Sequence, residues 1–164
     1  MAQDVTPVQN KQSVLVDMRI DTVVRIALIG LVLGAGAWLI ALGLDKFAIK
    51  PAFCSSETAP SCVNYSPAIA GNVALVLTGI FGMVGLVRVG AYRPMLVVIA
   101  VAIVLWNVSG WLSGVVWYEA LGWSALMYMA AYTAFAWLVR PRNFVVVLIL
   151  LAVLIAGIRF IAIL

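Results

Sequence analysis

The sequence predicts an all-α integral membrane protein, a bundle of five transmembrane helices, on the basis of three observations. Five apolar blocks are separated by short stretches that hold almost all the charge. Four blocks are near the roughly 20 residues that a helix needs to cross a hydrocarbon core about 30 Å thick. The composition is 66% hydrophobic and 10% charged, whereas soluble domains are about 45–50% apolar and about 25% charged.

The predicted spans follow the apolar blocks in chain order. The blocks are Ile26–Leu44, Ala68–Val87, Met95–Val116, Leu121–Val139 and Phe144–Ile158. The fifth reaches spanning length when Arg159 and the last five residues are added. We therefore predict a polar segment at 1–25 and a five-helix membrane domain at 26–164, with one long loop at 45–66.

The segment before the first block is polar but not uniform. Residues 1–13 contain Pro7 and predict a tail, whereas Asp17, Asp21 and Arg25 recur every fourth residue on one helical face. Residues 14–25 are either a helix on the inner membrane surface or a solvated continuation of the first span. Mixed charges precede a block long enough to span, which favours an uncleaved first helix over a signal peptide.

Proline, serine and asparagine mark the predicted helix ends. Ser66-Pro67 is expected to open the second span and Pro94 the third, because proline is favoured in the first helical turn. Pro141 cannot continue the fourth span, and Asn143 can cap the fifth.

The basic residues predict the orientation. A cytoplasmic N-terminus puts seven of the ten Lys and Arg residues inside, in agreement with their bias toward cytoplasmic loops. These seven are Lys11, Arg19, Arg25, Arg88, Arg93, Arg140 and Arg142. Five spans then put the C-terminus outside. We expect a multi-pass protein of a plasma membrane or bacterial inner membrane.

The two cysteines both lie in the predicted outer loop. Cys54 and Cys62 in an oxidising exterior predict a structural disulfide. The alternative is a redox-active pair of the kind found in membrane disulfide-forming enzymes. Those enzymes use a CxxC motif and a second pair, whereas seven residues separate these cysteines and the chain has no others.

Small residues recur at helical spacing in the first three spans. The glycines that we expect to pack are Gly30 and Gly34, Gly82 and Gly85, and Gly110 and Gly114. Membrane helices associate through close backbone approach, so these stripes predict helix–helix interfaces. Contacts between chains remain an alternative, but opposed stripes on the first two spans favour a hairpin within one chain.

A few polar groups lie at membrane depth. Asn107 and Trp111 share one face of the third span, and Tyr128 on the next span could face them. The functional interpretation is a small polar pocket for a lipid or quinone headgroup. The structural interpretation, which we favour, is interhelical hydrogen bonding that fixes the bundle.

One charged pair is expected at the outer side. Arg159 lies near the outer end of the fifth span, and Glu119 lies in the turn between the third and fourth. We predict that they pair, or that Arg159 meets an acidic group of a partner subunit. The alternative is that Arg159 extends to the lipid headgroups.

The sequence argues against several function classes. It contains no histidine, and no carboxylate lies within the middle of a span. No proline interrupts a span at mid-depth, as many transporter sites require. We therefore expect no catalytic residue, no metal, no cofactor and no nucleic-acid partner.

Three functions remain, in order of preference. The first is a non-catalytic subunit or scaffold of a larger membrane complex, with membrane lipids and protein partners or self-association. The second is a homo-oligomeric channel, carrier or lipid-handling protein. The third is a thiol-redox membrane protein.

Overall fold

A computed structural model describes residues 19–54, 60–141 and 143–163, without the side chains of residues 60, 61, 63, 64 and 159–163. Within these ranges the chain forms helices and no strand. The predicted tail at 1–13 and most of the segment at 14–25 lie outside the described residues.

The helices follow the five apolar blocks, with two departures. They are α1 (Ile20–Leu44), a π-helical turn (Asp45–Ile49), α2 (Lys50–Phe53), α3 (Pro60–Arg88), α4 (Pro94–Val104), α5 (Val108–Trp111), α6 (Trp117–Leu138) and α7 (Phe144–Ile163). The first three elements run on as one helix, Ile20–Phe53, and the third predicted span is divided into α4 and α5.

Three helices are long and apolar enough to cross a membrane: Ile20–Phe53, Tyr65–Arg88 and Pro94–Trp111. These correspond to the first three predicted spans. Helix α7 contains the shorter apolar stretch Phe144–Ile158. Helix α6 contains three Trp and three Tyr residues, whose rings carry polar atoms, interleaved with alanine.

Helix α1 packs on both α6 and α3, and the closest approach is between α1 and α6. A Cβ atom at Gly34 would lie 2.7 Å from the carbonyl oxygen of Ser124, and one at Gly30 would lie 2.9 Å from the Cα of Met129. The Ser124 hydroxyl donates to the Gly34 carbonyl at 2.9 Å. Two backbones therefore touch along this seam, as small residues allow in membrane helices.

The glycine stripes of the first two spans do not face each other. The α1 stripe faces α6, whereas in α3 a Cβ at Gly82 would overlap the Tyr132 hydroxyl of α6. A Cβ at Gly85 would lie 3.3 Å from the Ile29 side chain of α1. Helices α1 and α3 are neighbours, but the glycines of α1 contact the backbone of α6, whereas those of α3 face α1 side chains and Tyr132. Stripes alone do not determine this choice.

Three of the predicted helix ends agree with the structure. Pro94 is the first residue of α4. Asn143 accepts a hydrogen bond from the Val145 N–H through its side-chain oxygen at 3.2 Å, at the start of α7. Helix α6 ends at Leu138, before Pro141.

The prediction that Ser66-Pro67 opens the second span is wrong. Helix α3 begins at Pro60, and Pro67 lies inside it. The Ser66 hydroxyl donates to the Asp45 carboxylate and is not used as a helix cap. The hydrogen bond from Ser66 to Asp45 takes the place of the local capping bond that the sequence pattern indicated.

The predicted outer loop at 45–66 is mostly helical. The first helix continues to Phe53 and α3 starts at Pro60. The predicted disulfide between Cys54 and Cys62 is present, with Cα atoms 5.7 Å apart, and it joins the two helix ends.

The start of α1 bears on the segment at 14–25. The helix begins at Ile20 and continues without a break, with Asp21 and Arg25 exposed. Residues 20–25 are therefore helical and continuous with the first span, and the choice between a surface helix and a solvated continuation stays a prediction.

The α1–α6 seam gives a test with a matched control. Gly34→Ala should lower the free energy of unfolding by about 1–3 kcal/mol, because the new methyl must separate two backbones. Gly36→Ala on the same helix should be neutral or slightly stabilising, since a Cβ there meets nothing within 4 Å among the described residues. Thermal unfolding in detergent measures both, and equal effects would contradict the packing.

Candidate functional site

The third predicted span is broken near its middle. Helix α4 ends at Val104 and α5 begins at Val108, so the expectation of one continuous helix over Met95–Val116 is wrong. Asn107 has a φ of 69°, in the left-handed region. Asparagine is among the few non-glycine residues that adopt this conformation readily, so the break requires no proline.

Asn72 on α3 satisfies the backbone at the break. Its side-chain oxygen accepts a hydrogen bond from the Asn107 N–H at 2.9 Å. A backbone N–H left free at this depth costs several kcal/mol in lipid, which makes such a partner necessary. The sequence analysis missed Asn72. The available indication was an amide within an apolar helix, but its partner is 35 residues away.

The chain after the break closes against α3 and then turns. Ser109 occupies the space where a side chain at Gly71 would lie, and the Ser113 hydroxyl donates to the Gly110 carbonyl at 2.6 Å. Gly114 has a φ of 102° and no described atom within 4 Å of its Cβ position. It supplies a backbone conformation that side chains rarely adopt, and its role in helix packing stays a prediction.

Gly110 has a local role as well. A Cβ at Gly110 would lie 3.0 Å from the side-chain oxygen of Asn107, within the same broken segment. It gives room to the Asn107 side chain rather than to a neighbouring helix.

A cavity of about 330 Å³ lies beside this turn. It is bounded by the end of α1, Lys50 of α2, Pro67 of α3, the segment from α5 into the following turn, and the start of α6. The lining residues are Trp38, Ala41, Leu42, Asp45, Lys50, Pro67, Ser109, Leu112, Ser113, Gly114, Val115 and Trp117. Leu42, Val115 and Trp117 are exposed on the surface of the bundle, so the cavity is open at one side.

A charged pair forms one end of the cavity. The Lys50 ammonium lies 3.0 Å from the Asp45 carboxylate, and the other oxygen of that carboxylate accepts a hydrogen bond from Ser66. Asp45 and Lys50 are five residues apart, a spacing that an α-helix puts on different faces. The π-helical turn brings them together, because its hydrogen bonds run from residue i to i+5 and the Lys50 N–H donates to the Asp45 carbonyl.

Trp38 lies deeper along the same face of α1. Its side chain is 8% exposed, and its Nε1 atom has no hydrogen-bond partner among the described residues. An indole N–H is a donor only, so its complement is an oxygen acceptor. The predicted site included none of four residues described here: Trp38, Asp45, Lys50 and Ser66. The contacts of Asp45 with Lys50 and Ser66 depend on the π-helical turn and on α3.

The predicted pocket of Asn107, Trp111 and Tyr128 divides into separate environments. Tyr128 is 2% exposed, stacks on Tyr132 and shares a side-chain hydrogen bond with Thr78. Asn107 is instead anchored at Asn72, six residues and roughly 9 Å along α3 from Thr78. Trp111 is 49% exposed.

The predicted pair of Glu119 and Arg159 is described only in part. Glu119 is exposed in the first turn of α6. The side chain of Arg159 lies outside the described residues. The pairing therefore stays a prediction.

The residues around the cavity offer hydrogen-bonding groups and apolar surface. Within the described residues, no group of three or more His, Cys, Asp or Glu side chains is placed to hold a metal ion. The cavity combines an ion pair at one end with mostly apolar walls. Comparison with known proteins finds no matching family model, no matching curated protein and no matching solved structure.

The left-handed backbone at Asn107 predicts an order of variant stabilities opposite to the order expected in a continuous helix. At a left-handed position Asn107→Gly should be tolerated, whereas Asn107→Ala should lose about 1–2 kcal/mol of stability. In a continuous helix alanine would be the better residue by about 1 kcal/mol. Ala102→Gly within α4 is the matched control and should be destabilising. Thermal unfolding of the three variants in one detergent decides between the two orders.

Proposed function

We propose that this chain is a non-catalytic, lipid-handling membrane protein that holds one end of an amphiphile in the cavity beside the broken third span. The observation that carries the proposal is the cavity itself, which has a charged pair at one end and an opening between exposed apolar residues. Ligand cavities are commonly about 300–1,000 Å³, mostly apolar, with a few placed polar groups.

The broken span supports the same proposal. Irregular backbone at membrane depth is tolerated where it is buried in protein or lines a cavity. Discontinuous helices are also a common element of membrane transport sites. Here the segment after the break supplies Ser109, Leu112 and Ser113 to the cavity wall. A binding cavity would account for the break. A scaffold would need no break, because a continuous helix would serve it equally well.

The proposed topology has five crossings with a cytoplasmic N-terminus. The crossings are the continuous first helix, α3, the pair α4 and α5, α6, and α7. Helix α6 has 22 residues and α7 has 20, so each is about 30 Å or more in length. This orientation puts the cavity, the disulfide and Glu119 on the outer side, and the basic turns on the inner side.

A second candidate function is that of a membrane-complex subunit. An open groove of about 470 Å³ lies between α1 and α6, with almost entirely apolar walls. Its small residues Ala27, Ala130 and Ala134 would let a partner helix approach closely. Filling it by Ala134→Phe should remove a stoichiometric partner during purification in mild detergent, whereas Ile80→Phe on the exposed face of α3 should not.

Lipid labelling tests the first proposal. A phospholipid with a photoreactive group in its acyl chain, incorporated in nanodiscs, should label peptides that contain Leu42 and Val115. Val115→Trp should fill the mouth of the cavity and reduce that labelling severalfold, whereas Val84→Trp on the exposed face of α3 should leave it unchanged. Mass spectrometry of the digested protein measures both. Uniform labelling of all lipid-facing peptides, unaffected by Val115→Trp, would contradict the proposal.

The orientation has its own test. A reporter fused after Leu164 should be active only outside the cytoplasm, and one placed between Gly90 and Ala91 only inside it. A cytoplasmic signal from the first fusion would remove one crossing from the topology.

A further inference from the structure

Two basic turns meet at the end of the bundle opposite the disulfide. One joins α3 to α4 at residues 88–94, and the other joins α6 to α7 at residues 138–144. They are neighbours, because the Arg93 guanidinium carbon lies 5.2 Å from the centre of the Phe144 ring. Neither turn contains an aspartate or a glutamate. Their described basic residues are Arg88, Arg93 and Arg140.

The backbone of the α3–α4 turn is closely defined. The Ala91 N–H donates to the Leu86 carbonyl at 3.0 Å and the Gly90 N–H to the Val87 carbonyl at 3.1 Å. Together with a φ of 71° at Gly90, these bonds form the motif that commonly ends a helix at a left-handed residue. Arg93 also has a left-handed φ, 51°, which is uncommon for a residue with a side chain. The turn therefore fixes the Cα positions of the arginines at its two ends.

The Arg93 side chain is positioned by two aromatic rings. Its guanidinium carbon lies 4.8 Å from the centre of the Tyr92 ring, in addition to the contact with Phe144. Aromatic rings attract a cation over their faces, and an arginine held in this way loses little further freedom when an anion binds. Arg93 is half-buried between the two turns. It is therefore a fixed positive charge at this end of the bundle.

Arg88 supplies a donor that the protein leaves available. It is the last residue of α3, its side chain is exposed, and it has no ion-pair or hydrogen-bond partner among the described residues. A guanidinium presents paired N–H groups that match the oxygens of a phosphate. The fixed charge of Arg93, five residues away across the turn, favours an anion beside Arg88.

These arginines lie at the level of lipid headgroups. The apolar helix Tyr65–Arg88 ends at Arg88, and Pro94–Trp111 begins directly after Arg93. Trp137, in the last turn of α6, is 63% exposed, as is typical of tryptophan at a membrane interface. The anion nearest to both helix ends is therefore a lipid phosphate.

We infer that the α3–α4 turn, together with the α6–α7 turn beside it, binds the phosphate of an anionic phospholipid. Arg88 donates to the phosphate oxygens, and Arg93 and Arg140 supply positive charge around them. Basic sites between membrane helices recognise anionic headgroups in this way. The site is at the other ends of α3 and α6 from the cavity, so it goes beyond the proposed function and does not depend on it.

The ligand comparison needs no variant. Native mass spectrometry measures the binding of dioleoylphosphatidylglycerol and dioleoylphosphatidylcholine to the full chain in detergent. Both carry a phosphate and the same acyl chains, but only the first has a net negative charge. The anionic lipid should bind at least about tenfold more tightly, and millimolar inorganic phosphate should not displace it. Equal binding of the two lipids would overturn the inference. Displacement by phosphate would also overturn it and indicate a site for a free anion.

Single-charge variants locate the site. Arg88→Gln should weaken phosphatidylglycerol about tenfold, as expected for the loss of a charge-assisted hydrogen bond, and Arg93→Gln should have a similar effect. Arg88 is exposed, so its variant decides the test even if Arg93→Gln does not fold. The matched control is Arg19→Gln at the start of α1, an exposed residue whose charge is already paired with Asp21. It should weaken binding less than about twofold. Equal effects of Arg19→Gln and Arg88→Gln would show diffuse attraction and reject the site.

The cavity gives a further control. Val115→Trp, which fills the mouth of the cavity, should leave the preference for phosphatidylglycerol unchanged. If Val115→Trp abolishes that preference and Arg88→Gln does not, the anionic lipid binds in the cavity, and the site at the two turns is wrong while the lipid-handling function stands. If Arg88→Gln removes the preference but no lipid labels the cavity, the site at the turns stands and the proposed function is wrong.

Discussion

The backbone interruption at Asn107 is the constraint on which the rest of the site depends. At membrane depth each free N–H and C=O needs a protein partner, because lipid supplies none. The Asn72 side chain meets that requirement for the Asn107 N–H and so fixes α3 against the broken span. Ser109 then fits over Gly71 and the chain turns at Gly114, leaving the cavity between this turn and the end of α1.

Close packing of α1 supplies the other wall. Backbone contact between Gly34 and Ser124 holds α1 against α6, which sets Trp38 and Asp45 on the cavity side of the helix. The disulfide and the Asp45–Ser66 hydrogen bond join the end of the first helix to the beginning of α3. The cavity is therefore formed between tethered helices.

Sequence patterns predicted the features that depend on residues close together in the chain. Apolar length predicted the helices, Pro94 and Asn143 marked helix starts, and two cysteines in one polar stretch predicted the disulfide. The break at Asn107 was not predictable in this way, because asparagine also occurs within helices and its stabilising partner is distant in the chain. The prediction that Ser66-Pro67 opens a helix was wrong for the same reason, since the Ser66 hydroxyl bonds to Asp45 rather than to its own helix.

The π-helical turn shows how one inserted residue changes the chemistry of a helix end. With regular α-helical spacing, Lys50 would lie on a different face from Asp45, and each would extend separately to the headgroups. The turn instead brings both to the cavity, where the carboxylate holds the ammonium in place while Ser66 occupies its second oxygen. A carboxylate that is paired with an ammonium at one oxygen and accepts a hydroxyl hydrogen bond at the other is a stable arrangement at a helix end.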